Sequence, residues 1–446
     1  MNNYFAKNKK FLFNNHKFGK LLENNYSFSK YKFNKYNRFY FSSNQLYLWL
    51  SNVNPGIRVD DYKNKLKISS TPIKIDFFDD KDPQYVYCGP RSSAVITCNG
   101  DVYTFGSGNW GVLGHGDEKS ISHNNPKLIE YFKNNNIKIK KICIGDFHSI
   151  ALSDKGEVYS WGFGGEKGFL GIFRRDPGAI GHGDWKHYFT PKKIKYFNEN
   201  NIVIKDISCG VSHSVAISTE GKLYNFGKGG YGVLGTGSNS DSSIPIENEL
   251  FTIIQKEDIN NQITKIDCAG EYTGALTIGG DLYVWGKNNH GQLAIGSSGI
   301  GVDVQEGQSY PTIVPKPVEN MKIVNFDCGE NGMMVMDDQG KVYKSGWRLD
   351  YNLKLFEACK NINVRNFFCG NSYYCMLDTN NNIYQWGSLF KNKLGDIYYD
   401  VIKINNSNLF DNKIIKSISG KFKVCAAITQ INNTNANTND DKLNST

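Results

Sequence analysis

The sequence predicts an all-β protein, a seven-bladed β-propeller whose ring is closed by strands from both ends of the chain sharing one blade. Three observations predict it. A strand-like signature, aliphatic-Tyr-x-(Trp/Phe)-Gly, recurs six times, a period that belongs to repeat architectures. A second signature, Cys-Gly-x-x-(His/Tyr)-(Ser/Thr)-x-Ala-(Leu/Ile), precedes each copy. Each end of the array then carries the half-unit that the other end lacks.

The first signature reads Val102-Tyr-Thr-Phe105-Gly106, Val158-Tyr-Ser-Trp161-Gly162, Leu223-Tyr-Asn-Phe226-Gly227, Leu282-Tyr-Val-Trp285-Gly286, Val342-Tyr-Lys-Ser345-Gly346 and Ile383-Tyr-Gln-Trp386-Gly387. Between aromatic slots the steps are 56, 65, 59, 60 and 41 residues. The last two units diverge most, with Ser345 in the aromatic slot. The second signature is clearest at Cys209-Gly-Val-Ser-His213-Ser-Val-Ala216-Ile217 and at Ile144-Gly145-Asp-Phe-His148-Ser-Ile-Ala151-Leu152. Looser copies begin at Cys88, Cys268, Cys328 and Cys369. Within a unit the apolar residues alternate as in strands, joined by turns such as Asn99-Gly100-Asp101 and Thr219-Glu-Gly221, and weaker strands complete a four-stranded sheet. One such sheet cannot bury both faces alone. Radial packing of neighbours can, with the Trp or Phe beside each glycine filling the wedge between blades.

At the ends, Leu46-Tyr47-Leu48-Trp49-Leu50 is an orphan copy of the first signature, and residues 419–427 are an orphan copy of the second. Six full units and this composite make seven blades, and closure removes exposed sheet edges. The domain layout expected is a leader over 1–43, the propeller over 44–428 and a disordered Asn-rich tail over 429–446.

Composition fits a globular core: 39% hydrophobic, 13% aromatic and only 21% charged, which excludes wholesale disorder. Ten cysteines in 446 residues are far too sparse for a disulfide scaffold. No stretch of 18 or more apolar residues occurs, so no membrane-spanning helix is predicted. The net charge of +9 is concentrated at the start. Residues 1–43 hold nine Lys/Arg and one acidic residue, which leaves 43 basic and 42 acidic residues, +1, in the remainder. A basic, aromatic, acid-poor leader has the composition of an organelle transit peptide, and Arg38-Phe-Tyr-Phe-Ser42-Ser43 resembles a mitochondrial processing site. A solvated basic tail is the other reading. Either way, the charge of the remaining chain does not support direct nucleic-acid binding.

Paired in this way, the two signatures resemble the repeat of the regulator-of-chromosome-condensation family over about residues 44–428. The resemblance implies a seven-bladed propeller with circularly offset blades, and two classes of function. One is guanine-nucleotide exchange on a Ran-like small GTPase, in the nucleus or cytoplasm. The other, favoured by the leader, is a mitochondrial scaffold or assembly role, in the matrix or at the inner membrane. Organelle-targeted members are tied to the mitochondrial ribosome, respiratory-complex assembly and a dynamin-like fusion GTPase. Neither class needs enzyme chemistry: an exchange factor works by binding the nucleotide-free state of its partner more tightly.

Chemical motifs are few. Gly106-Ser-Gly108-Asn-Trp-Gly111 and Gly227-Lys-Gly229-Gly-Tyr-Gly232 match G-x-G-x-x-G, but Val-Leu-Gly follows where a phosphate-binding helix is required. They are turn chemistry. The repeat cysteines form no C-x-x-C pair and are expected to be small buried hydrophobes near the axis. His148 and His213 fill one repeat slot, while His115 and His182 lie in Gly-His-Gly-Asp turns. No nucleophile–base arrangement, cofactor site or metal site emerges. The single Gly346-Trp347-Arg348 resembles a triplet that recurs in the family's UV-B photoreceptor, but occurs once and in another slot.

The most informative irregularity is an insertion in the second unit, residues 164–178. Its Phe173, Arg174, Arg175 and Asp176, with the nearby Trp185, form the candidate partner-binding loop, since interface anchors favour aromatics beside arginines. A second connection, residues 297–319, is Gly/Ser/Pro-rich and is expected to be a surface loop.

Overall fold

The computed structural model describes residues 44–49, 72–118, 121–165, 178–184, 186–296, 307–347, 350–371, 373–387, 402–404, 409–410, 413–421 and 424–430. The leader 1–43 and the tail from 431 lie outside the described residues. Seven four-stranded antiparallel sheets carry the fold. Six are sequential meanders, blades 1 to 6, spanning 83–128, 139–193, 204–247, 263–313, 323–355 and 364–404. In blade 3 the inner strand is Ile204–Cys209, and the second strand His213–Ser218 pairs in register with Leu223–Gly227, from His213↔Gly227 to Ile217↔Leu223. The two sequence signatures are therefore the turn from first to second strand (the A–B turn) with the second strand, and the third strand. Between them Gly221 (φ 90°) makes the tight turn, as Gly100 (φ 80°) does in blade 1, a conformation costly for side chains with a Cβ.

Blade 7 is the composite that the ends of the sequence imply. Its order from rim to axis is Ile73–Lys74, Asn44–Trp49, Val424–Gln430, Ile414–Lys421. Strand Asn44–Trp49 pairs with Val424–Gln430 over six positions, Asn44↔Gln430 to Trp49↔Cys425.

The outer strands hold one correction. Part of the expected surface loop 297–319 is strand Gly307–Ile313, which pairs with Leu282–Lys287 as Tyr283↔Ile313 and Gly286↔Gln308. Its proline hid it. Pro126, Pro191, Pro245 and Pro311 all sit in outer strands, where one ladder bond can be forgone and edge pairing between molecules is discouraged.

The apolar core lies between blades. Seven clusters of buried residues each join two neighbouring blades. One, for example, joins Ile150, Leu152 and Val158 of blade 2 to Ile207, Ala216 and Phe226 of blade 3. The aromatic slots are buried as expected, with Trp161, Phe226 and Trp285 all at 0% exposure. Polar contacts follow the same seams. His148 Nε2 meets Ser214 Oγ at 2.8 Å, His213 Nε2 meets Thr273 Oγ1 at 3.0 Å, and the Tyr272 and Tyr373 hydroxyls donate to the Gly332 and Val424 carbonyls. On the rim side Gly116, Gly183, Gly237 and Gly296 each donate a backbone N–H to the next blade's outer strand.

Near the axis the inner strands of blades 2, 3 and 4 converge so closely that glycine is sterically required at Gly145 and Gly210. A Cβ on Gly145 would lie 2.5 Å from the Gly210 carbonyl, and one on Gly210 would lie 2.6 Å from the Gly270 carbonyl. The neighbouring cysteines Cys88, Cys209, Cys268, Cys328 and Cys369 are free and buried, small hydrophobes in a narrow space.

Candidate functional site

In a four-stranded meander the turn from first to second strand and the loop from third to fourth emerge at the same end. The insertion of blade 2, between Val158–Gly162 and Tyr188–Lys193, therefore opens on the propeller face that also carries the A–B turns and one mouth of the central channel. The candidate residues Phe173, Arg174, Arg175, Asp176 and Trp185 lie outside the described residues. Their anchorage does not. Gly164 N–H donates to His187 Nδ1 at 3.0 Å, and a Cβ on Gly178 would fall 2.5 Å from the Gly164 carbonyl carbon. The loop thus leaves and re-enters the blade at one point.

Aromatic rings surround that point. Phe163 stacks on His187 (centroids 5.1 Å, planes 26° apart), Trp110 meets Phe163 and His187 edge-on at 4.9 and 5.5 Å, and Phe147 lies 6.2 Å from Phe163. Trp110 is 37% and Phe147 36% exposed. Trp110 holds φ at 59°, a left-handed conformation uncommon for a bulky side chain, which keeps the indole on the face.

Towards the axis the face turns acidic. Asp146 faces Arg91 Nε at 3.8 Å with 16% of its side chain exposed. Burial raises its pKa above the usual carboxylate range despite that cation. Glu330 is raised too, first by burial and then by the negative charge of Asp146. Glu271 is neutralised by Lys287 at 2.6 Å. Beneath them the mouth narrows to a cavity of ≈ 20 Å³ lined by Gly145, Gly210, Gly270, Glu330 and Lys421, room for about one water.

Lys421 closes the channel. It reaches from blade 7 across the axis to blade 4, where its Nζ lies 3.4 Å from Asp267 Oδ1 and donates to the Cys268 carbonyl. Asp267 Oδ2 accepts the Cys328 N–H and Asp327 Oδ2 the Cys369 N–H, each at 2.7 Å. Burial opposes ionisation of both carboxyls. Lys421 and Lys265 nevertheless hold Asp267 below its usual range, whereas burial and the Asp267 charge push Asp327 up to about 7. A raised acid binds its proton more tightly folded than unfolded, so its contribution to stability falls as pH rises from about 4 through 7. Asp327→Asn, which keeps an oxygen for the Cys369 N–H, is expected to stabilise the fold at pH 8 by roughly 1–3 kcal/mol and to leave it unchanged near pH 4. Urea titrations at the two pH values check this; equal effects at both would exclude a charged Asp327 as the cause.

The two histidines of the Gly-His-Gly-Asp turns are structural. His115 and His182 meet Thr104 Oγ1 and Ser160 Oγ at 3.0 and 3.1 Å. Among the described residues no group of three or more His, Cys, Asp or Glu is placed to hold a metal ion, and no helix is long and apolar enough to cross a membrane. What the face offers is recognition: a rigid aromatic patch, an acidic mouth and one anchored insertion. Residues 90–91, 146–147, 211–212, 270–271 and 330–331 fill the two x positions of Cys-Gly-x-x. The repeat thus marks the turn and leaves the face residues free to vary, and no periodic signal could single them out.

The family model described as the RCC1-like domain matches residues 41–361, 72% of the chain. The chain belongs to the RCC1-like domain family. This RCC1-like propeller is 30% identical over 264 residues to human E3 ubiquitin-protein ligase HERC2, covering 58% of the chain and 5% of the ligase. It is 28% identical over 286 residues to "RCC1 domain-containing protein RUG3, mitochondrial" of Arabidopsis thaliana, covering 63% of the chain and 57% of that protein. The chain thus spans little more than half of RUG3 and a small part of HERC2. Among solved structures, Prp20p of Saccharomyces cerevisiae superposes with a TM-score of 0.71 at 18% identity, over 90% of this chain and 95% of that one. At that identity the likeness speaks for the RCC1-like fold.

Proposed function

We propose that this RCC1-like propeller is a protein-binding scaffold or assembly factor of the mitochondrion, and that it takes its partner on the face bearing the blade 2 insertion. The single observation that carries the reading is the convergence on one face of exposed Trp110 and Phe147, the acidic mouth at Asp146 and Glu330, and the pinned base of the insertion. Aromatic anchors ringed by charge suit protein recognition. The basic leader 1–43 and the similarity to RUG3, whose name carries the word mitochondrial, support the compartment. The propeller is taken to span 44–428, flanked by that leader and the tail 429–446.

Guanine-nucleotide exchange is the second reading. It is favoured by the likeness to Prp20p, whose structure report names binding to Gsp1p and histones. The partner would then be a small or dynamin-like GTPase; a mitochondrial ribosome or respiratory-complex assembly partner belongs to the first reading. Localising the full chain beside a form lacking residues 1–43 tests the compartment, and a nuclear full chain would sink it. GDP release from candidate GTPases in excess propeller tests exchange. Arg174→Ala with Arg175→Ala is expected to weaken partner capture about tenfold or more, as loss of interface arginines does, with thermal stability unchanged. Unaltered capture with lowered stability would make the loop structural.

A further inference from the structure

The interface between blades 5 and 6 is built differently from the others. At the blade 1–2 and 3–4 seams the indole N–H of Trp161 and Trp285 donates to the Val112 and Val233 carbonyls of a Gly-Val-Leu-Gly loop, and Trp161 meets Phe132 edge-on at 67°. Blade 5 has no such loop. At its seam with blade 6, the slot residue Trp386 instead joins three other rings in one continuous parallel stack. Phe356 lies on Trp386 (4.6 Å, 24°), Trp386 on Tyr374 (5.1 Å, 25°), and Tyr374 on Trp347 (5.0 Å, 16°).

The stack runs from the interior outwards. Trp386 and Tyr374 are buried at 5% and 4% exposure, while Trp347 is half-buried. The same core cluster holds oxidisable sulfur: Met334, Met376, Cys359 and Cys369. Indole and phenol are the side chains that give up single electrons most readily, and rings in van der Waals contact exchange them faster than a buried thioether reacts. A chain of three such rings ending at the surface is a path along which an electron vacancy can leave the core.

We propose that Trp386, Tyr374 and Trp347 form a hole-transfer path that protects the blade 5–6 core against one-electron oxidants of the sulfate-, carbonate- or peroxyl-radical class. The oxidant removes one electron from the Trp386 indole and is itself reduced. An electron from Trp347, relayed through Tyr374, refills it, so Trp386 and Tyr374 end unchanged. Trp347 is left as a neutral radical, its indole N–H proton lost to water. A solvent thiol or ascorbate then returns one electron and one proton. Without the outlet, the vacancy passes to Met334 or Met376 as a sulfur radical cation. A second equivalent of the oxidant then removes another electron while water adds its oxygen and releases two protons, leaving the sulfoxide.

The test exposes the full chain to sulfate radical, generated from persulfate by a photoexcited ruthenium tris-bipyridyl dye, with ascorbate present. Sulfoxide is read at Met334 and Met376 by peptide mass spectrometry. Trp347→Phe keeps a stacking ring that oxidises far less readily, and is expected to raise sulfoxide at both methionines several-fold. Tyr374→Phe interrupts the relay and should do the same. Trp110→Phe removes an exposed indole outside the stack and should leave the yields unchanged. Circular dichroism confirms the fold of each variant. Unchanged yields in both stack variants, or an equal rise in Trp110→Phe, would overturn the path.

Discussion

Replacing Gly210 by alanine is expected to destabilise the propeller by about 3 kcal/mol, the upper part of the range for overpacked cores. The added methyl carbon would lie 2.3 Å from His213 Cε1, 2.6 Å from the Gly270 carbonyl and 2.7 Å from His213 Nδ1. None can yield cheaply. The Gly270 carbonyl accepts the Val211 N–H at 2.9 Å, and the His213 ring is held by Thr273. The inner strands of blades 3 and 4 would have to part, loosening the seam that buries Trp285. Gly230 is the matched control: no atom lies within 4 Å of its added Cβ, and Gly230→Ala should stay within about 0.5 kcal/mol of the parent. Urea unfolding of both variants decides the matter. Equal midpoints would mean that the axial glycines are dispensable.

Gly210 was legible in the sequence. The Cys-Gly pair recurs with the repeat, with Ile144 in the cysteine slot of blade 2 and Ala269 in the glycine slot of blade 4. Its period therefore placed it, and the small residues were expected near the axis. The same holds for blade 7, because the half-units at Leu46–Trp49 and 419–427 could only complete each other. Non-periodic features stayed hidden. Lys421 meets Asp267 across 154 positions, and nothing local to either residue announces the pairing. Ser345 registered as a defect in its repeat. In three dimensions it is buried opposite Met333, on the side of its strand where Tyr343 packs against blade 4, while Trp347, two residues further on, packs towards blade 6. Strand Gly307–Ile313 was obscured because edge strands select the same Pro, Ser and Gln that mark loops. The candidate site suffered most, since a repeat signature reports what every blade shares and a binding face is made of what each blade does not.

Acid should unfold the protein through its histidines. His148 and His213 are fully buried, and burial lowers their pKa to about 3. Burial likewise lowers those of His115 and His182 to about 4. In the unfolded chain each titrates near the ordinary 6.5. Between about pH 3 and 6.5 the unfolded state therefore binds more protons than the folded one, and stability falls as pH falls. Above 6.5 this contribution is complete. Each of the two fully buried rings is expected to supply roughly 1 kcal/mol per pH unit inside that window, and the two partly exposed ones less. Asp327 works in the opposite sense, gaining its proton as pH drops through 7, but one group cannot offset four. The physical block is plain at His148: its Nε2 is engaged by Ser214 and its Nδ1 has no partner in the seam, so a second proton there would be buried without an acceptor. Urea titrations between pH 8 and 4.5 should show a plateau and then a steep decline starting near 6.5. His148→Gln, which can still donate to Ser214 but cannot be charged, should lower the slope of that decline by roughly 1 kcal/mol per pH unit. A slope that survives the substitution would shift the cause of acid unfolding to the carboxylates.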